Sequence, residues 1–107
     1  KYSMSIVTNL ILTFSLSEDT LSKEKEINLF FNNGRDFKIV SVDSDETKIV
    51  YGGSKYFETN IYLGAYNHLD IPELIKHLDD IEWVERENVQ LIIKEDQDKK
   101  FKIIELT

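Results

Sequence analysis

Residues 70–81 carry the outline of a helix with both its start and its buried face marked. Ile71, Leu74, Ile75, Leu78 and Ile81 follow the i, i+3, i+4 spacing without a miss. Asp70 can accept from the free N3 amide, Pro72 lies in the first turn where its missing N–H costs nothing, and Glu73 completes a capping-box-like pair at the positive end of the helix dipole. A helix this one-sided has to bury its stripe against another layer. Residues 6–16 offer such a layer: Leu10, Leu12, Phe14 and Leu16 recur at every second position, with Asn9, Ile11, Thr13 and Ser15 between them, which is the pattern of a strand with one strongly buried face.

The remaining segments fall between these two. Residues 17–33 read as a second helix, capped by Ser17 or Ser22, with a Glu/Lys-rich middle and an apolar patch of Ile27, Phe30 and Phe31 ending before Gly34. The same segment also alternates at Ile27, Leu29 and Phe31, and Asn33-Gly34 is a hairpin signal, so a strand is the rival reading. Residues 37–42 read as a strand, 43–47 as a polar loop, 48–51 as a short extended piece and Gly52-Gly53-Ser54 as a turn. In the strand expected over 56–65, Phe57, Ile61, Leu63 and Ala65 are assigned to the core, and Tyr56, Glu58, Asn60 and Tyr62 to the opposite face. Two last strands, 89–94 and 101–106, flank a charged loop. The expected fold is α+β: an antiparallel sheet with two helices on one face, in a ferredoxin-like element order with an extra C-terminal strand, leaving the other sheet face open.

A single globular domain over residues 4–107 accommodates all of this, since 41% hydrophobic residues can fill one core. Residues 1–3 precede the only methionine, Met4, and read as an expression remnant. The absence of cysteine excludes disulfides, thiolate metal sites and thiol nucleophiles. The most apolar stretch, 6–16, is too short and too polar to span a bilayer, so the expectation is a cytoplasmic protein with no membrane partner. A formal charge of −7 repels phosphate backbones, which argues against nucleic acid as a partner.

That acidity is local. Asp70, Glu73, Asp79, Asp80, Glu82, Glu85 and Glu87 face only Lys76 and Arg86 within 18 residues, and they surround the only tryptophan, Trp83. A localised negative field beside a large aromatic suits a basic protein partner, because charge complementarity orients encounter and the aromatic supplies contact energy. The residues expected to bind that partner are Asp79, Asp80, Glu82, Trp83, Glu85 and Glu87, with Tyr56, Glu58 and Tyr62 as a second surface. Trp83 could equally plug the gap between helix and sheet. Adjacent carboxylates on a helix diverge and no EF-hand-like loop is present, so no metal or other cofactor is expected. His68 and His77 lack the i, i+4 spacing of a helix-borne zinc pair, and His77 is expected on the exposed side of its helix. Gly52-Gly53-Ser54-Lys55 lacks the spacing and the following helix of a phosphate loop.

With its DDIEWVERE run over residues 79–87, its small cysteine-free α+β build and no catalytic signature, the chain resembles the immunity proteins that protect bacteria from polymorphic or contact-dependent toxins. The resemblance implies a cognate toxin domain, often a basic nuclease, inhibited by steric and electrostatic occlusion with no chemistry by this chain. Two rival classes are a small-ligand sensor or enzyme built on the Gly52–Lys55 turn with Tyr66 and His68, and a homo-oligomeric structural protein pairing through the open sheet face or an edge strand.

Overall fold

The first strand, β1 (Val7–Phe14), is the spine of the molecule, because it is the middle strand of the five-stranded sheet. The structure, a computed structural model, describes residues 7–31, 37–43 and 58–106. Within it, helix α1 (Thr20–Ile27) follows β1, then β2 (Val40–Ser41), β3 (Asn60–Asn67), helix α2 (Ile71–Asp80), a 3₁₀ turn at Arg86–Asn88, β4 (Gln90–Glu95) and β5 (Lys102–Glu105). The sheet order is β2-β3-β1-β4-β5 with every ladder antiparallel. The pairing makes β1 parallel to β2 with β3 between them, and β3 parallel to β4 with β1 between them. Each helix therefore connects two parallel strands separated by a third, and the α+β architecture expected from the sequence is present.

On the inner face Thr8, Leu10, Leu12 and Phe14 of β1 are all buried, and they are joined by Leu91 and Ile93 of β4. Ile27 of α1 and Leu74 and Leu78 of α2 complete the same core. Leu16, expected to continue the buried stripe, lies past the end of β1 and is exposed. Helix α2 begins as its sequence dictates, with the Asp70 carboxylate accepting from the Glu73 amide at 3.2 Å and Pro72 in the first turn. In α1 the cap is Asp19 and not Ser17 or Ser22. Asp19 accepts from the Ser22 amide, so Ser22 lies inside the helix. The helix closes at Asn28, and two tight turns after it bring Phe30 into the core while Phe31 points outward.

One face assignment is inverted. Tyr62 is 3% exposed and sits opposite Leu12, whereas Leu63, opposite Ile11, is 41% exposed. The cause is that both faces of this sheet accept apolar residues, so alternation in β3 could be satisfied in either phase; a shift of one residue exchanges the faces. Tyr62 takes the inner position because its ring stacks on Phe14, with centroids 5.5 Å apart and planes at 12°, and its hydroxyl donates to Glu24 of α1 at 3.1 Å.

The strand expected at 37–42 contributes only β2 to the ladder. Its preceding backbone is satisfied by side chains instead: the Ile39 amide donates to Asn28 Oδ1 at 3.0 Å, and the Tyr66 hydroxyl bonds the amide and carbonyl of Lys38. The β4–β5 connection is a turn in which Asp98 accepts from the Glu95 amide at 3.0 Å and pairs with Lys102 at 3.4 Å. These two contacts, in that order, hold the Asp98 carboxyl below its usual range. The expected features at 1–6, Asn33-Gly34, 44–57 and 107, including Tyr56 and the Gly52–Lys55 turn, lie outside the described residues.

Candidate partner-binding surface

The acidic segment after α2 is clipped to the rest of the molecule by a carboxylate the sequence did not single out. Glu18, 4% exposed, accepts from the Val84 amide at 3.0 Å and the Glu85 amide at 2.8 Å, with one oxygen to each. Two charge-assisted bonds to successive amides fix the path of the chain from α2 into the 3₁₀ turn. Glu85 in turn accepts from the hydroxyls of Ser15 and Ser17. These hydrogen bonds, Ser15 first, hold the Glu85 carboxyl below the ordinary glutamate range. Asp79 is engaged too, in an ion pair with Arg86.

Trp83 belongs to the packing. Its ring lies against Phe14 with centroids 5.4 Å apart, its Nε1–H donates to the Leu78 carbonyl at 2.9 Å, and Lys23 Nζ stands 5.9 Å from its centroid. The plug reading of Trp83 therefore holds, with part of the ring left at the surface. Of the six residues expected in the primary surface, Asp80, Glu82 and Glu87 are exposed and make no ion pair among the described residues, whereas Asp79, Glu85 and Trp83 are committed to intramolecular partners.

Of the second surface, Tyr62 is inside the core, Tyr56 lies outside the described residues, and Glu58 lies before β3 beside a polar hollow of about 450 Å³ lined also by Thr13, Ser15, Thr59, Asn88 and Gln90. Burial, the hydrogen bond to Glu24 and the charges of Glu24 and Asp43 push the Tyr62 hydroxyl up to about 12. The folded state thus favours the neutral phenol. Its contribution to stability is complete below the unfolded value near 10 and is lost as the pH rises through about 12. Alkaline unfolding followed by circular dichroism should show this loss, and Tyr62→Phe should flatten it between pH 10 and 12; an unchanged profile in the variant would contradict the assignment.

What the sequence did not reveal is a shallow furrow between the C-terminal end of α1 and the outer side of α2. One end, about 270 Å³, is lined by Phe30, Phe31, Glu73, Lys76, His77 and Asp80; the other, about 340 Å³, by Glu26, Leu29, His77, Asp80, Ile81 and Glu82. His77 and Asp80 belong to both. His77 is not the exposed helix position expected of it: its Nε2 lies 2.8 Å from the Glu26 carbonyl and its ring packs 5.5 Å from Phe30, so it forms the floor joining the two helices. Around that floor stand Glu26, Glu73, Asp80 and Glu82, with Lys76 the only lysine or arginine among the described lining residues; Glu26 is paired with Lys23 at 3.8 Å. Leu29 and Phe31, 70% and 74% exposed, rise at its edges. The alternation of Ile27, Leu29 and Phe31 was legible, but it read as a rival strand and not as an exposed apolar edge.

The small-molecule alternative loses one of its groups, because the Tyr66 hydroxyl is occupied by Lys38 and its ring stacks on Phe37 at 4.7 Å. His68 is exposed, with φ of 53°, a left-handed turn between β3 and the α2 cap. No group of three or more His, Asp or Glu residues suited to a metal ion occurs among the described residues. No helix there is long and apolar enough to cross a membrane. Compared with protein-family models, curated proteins and solved structures, the chain matches none.

Proposed function

We propose that this chain is a small acidic protein-binding module that neutralises a basic protein partner, and that its binding surface is the α1–α2 furrow with the adjoining Asp80–Glu87 segment. The observation that carries this reading is the combination in one furrow of Asp80 and Glu82, which make no ion pair among the described residues, with two highly exposed apolar side chains, Leu29 and Phe31. Exposed large apolar residues rimmed by like charges suit a partner that brings cations at its rim and apolar groups at its centre. The resemblance to immunity proteins supplies the biological form: a cytoplasmic inhibitor covering the active cleft of a cognate toxin domain, such as a basic nuclease. Inhibition would come from occlusion, with the carboxylates standing where the partner's anionic substrate would lie.

Replacement of Glu73, Asp80 and Glu82 by lysine tests the reading, since all three side chains are exposed and make no ion pair among the described residues; Glu73 favours the α2 N-terminus through the helix dipole, so an unchanged circular dichroism spectrum is the control that the helix is kept. Capture from a lysate of the source organism, with mass spectrometry of what is retained, should give one basic protein on the unmodified chain. The triple variant should lose it, with association slowed by about tenfold or more at moderate salt. Equal retention by both chains would remove the furrow from the argument.

A further inference from the structure

The outer face of the sheet, away from both helices, holds a continuous apolar row five strands wide. The registers set Val40 beside Leu63, Leu63 beside Ile11, Ile11 beside Ile92 and Ile92 beside Ile103. Val40 and Ile103 are more than half exposed at the two ends. This row also explains why Leu63 faces outward while Tyr62 takes the core. We infer that this face is an interface between two copies of the chain, stacked sheet on sheet. The inference is independent of the furrow and its partner.

Charge is what selects a second copy as the occupant. The chain carries −7, yet the described strand residues on this face include only one cation, Lys94, and one anion, Glu105. Two copies can therefore stack here without bringing their acidic segments together, and both furrows remain on the outside of the pair. The placement of the two charges also suits a two-fold axis running across the strands above the apolar row. Lys94 lies in register with Asn9, two residues to one side of Ile11; Glu105 lies in register with Gln90, itself opposite Thr13, two residues to the other side. That axis lays each row residue over its own copy. It also brings Lys94 over Gln90 of the second copy, one strand spacing, about 5 Å, from the second copy's Glu105. By symmetry the pairing occurs twice.

Size sets the strength. Five strands about 4.8 Å apart, and the span from the Asn9 row to the Thr13 row at about 3.4 Å per residue, give roughly 400 Å² of projected face per copy. Two such faces bury roughly 800–1,200 Å² in all, at the low end for specific association, so the pair is expected to form in the micromolar range and above.

Sedimentation equilibrium from about 5 to 500 µM should show the mass rising from 12.6 kDa toward twice that value. Leu63→Lys with Ile103→Lys, both at exposed positions, should weaken self-association by tenfold or more while leaving the circular dichroism spectrum unchanged. Lys94→Glu alone should also weaken it, and Lys94→Glu with Glu105→Lys should restore it, because the exchange rebuilds both pairs in reverse. A constant monomer mass over the whole range would overturn the inference. So would a dimer indifferent to the lysine substitutions, and a charge exchange that failed to restore association would overturn the proposed axis.

Discussion

Phe14→Ala is expected to destabilise the fold by about 3–5 kcal/mol, the range for removing a fully enclosed aromatic ring from a core. Phe14 is completely buried at the end of the central strand and joins three parts of the molecule. Its ring stacks on Tyr62 of β3, bears on Trp83 from the segment after α2, and lies in the same core as the two helices. Neither neighbour can collapse easily into the space, because the Tyr62 hydroxyl is tied to Glu24 and the Trp83 N–H to the Leu78 carbonyl. A loss of this size is a large fraction of the roughly 5–15 kcal/mol that holds a domain folded. Urea unfolding followed by Trp83 fluorescence would measure it, since the only tryptophan sits on the altered residue. A cost below about 1 kcal/mol would mean that Phe14 does not hold these elements together.

The second large effect is expected at Glu18. Glu18→Ala strands two amides, Val84 and Glu85, that have exchanged water for a buried carboxylate. Losing two part-buried hydrogen bonds to a charged acceptor is expected to cost about 2–4 kcal/mol in all. Glu18→Gln, which keeps one good acceptor, should fall between alanine and the unmodified chain. The effect should also be local before it is global. Amide exchange at Val84 and Glu85 should accelerate in both variants, while that of Leu74 and Leu78 in α2 should follow overall stability. Equal protection of Val84 and Glu85 in the alanine variant would show that the clip is not what holds the acidic segment.

The contrast between α2 and β3 shows which parts of this fold sequence reasoning can reach. In α2 the cap, the proline and the apolar stripe all lie within twelve residues and point to one answer, and the helix is where they place it. In β3 the same kind of reasoning meets a strand with Ile61, Leu63 and Ala65 in one phase and Tyr62 in the other. The phase is decided elsewhere, by Phe14 and Glu24 on the inside and by the Val40–Leu63–Ile11–Ile92–Ile103 row on the outside. Glu18 was invisible for a related reason, because its two partners are 66 and 67 residues away in sequence. At the candidate site, the acidity around Asp80 and Glu82 was legible from composition alone. The commitment of Asp79 to Arg86 and of Glu85 to Ser15 and Ser17 was not, since a carboxylate in a sequence does not reveal whether its charge is already spent within the fold.

The central claim, that the α1–α2 furrow receives a basic partner, is tested most directly by hydrogen–deuterium exchange on the chain alone and in complex with the basic protein it retains. Slower exchange is expected over residues 26–31 and 73–87 in the complex, with the amides of β4 and β5 unchanged. Protection confined to β2, β4 and β5 around the open sheet face, with 73–87 exchanging as before, would contradict it.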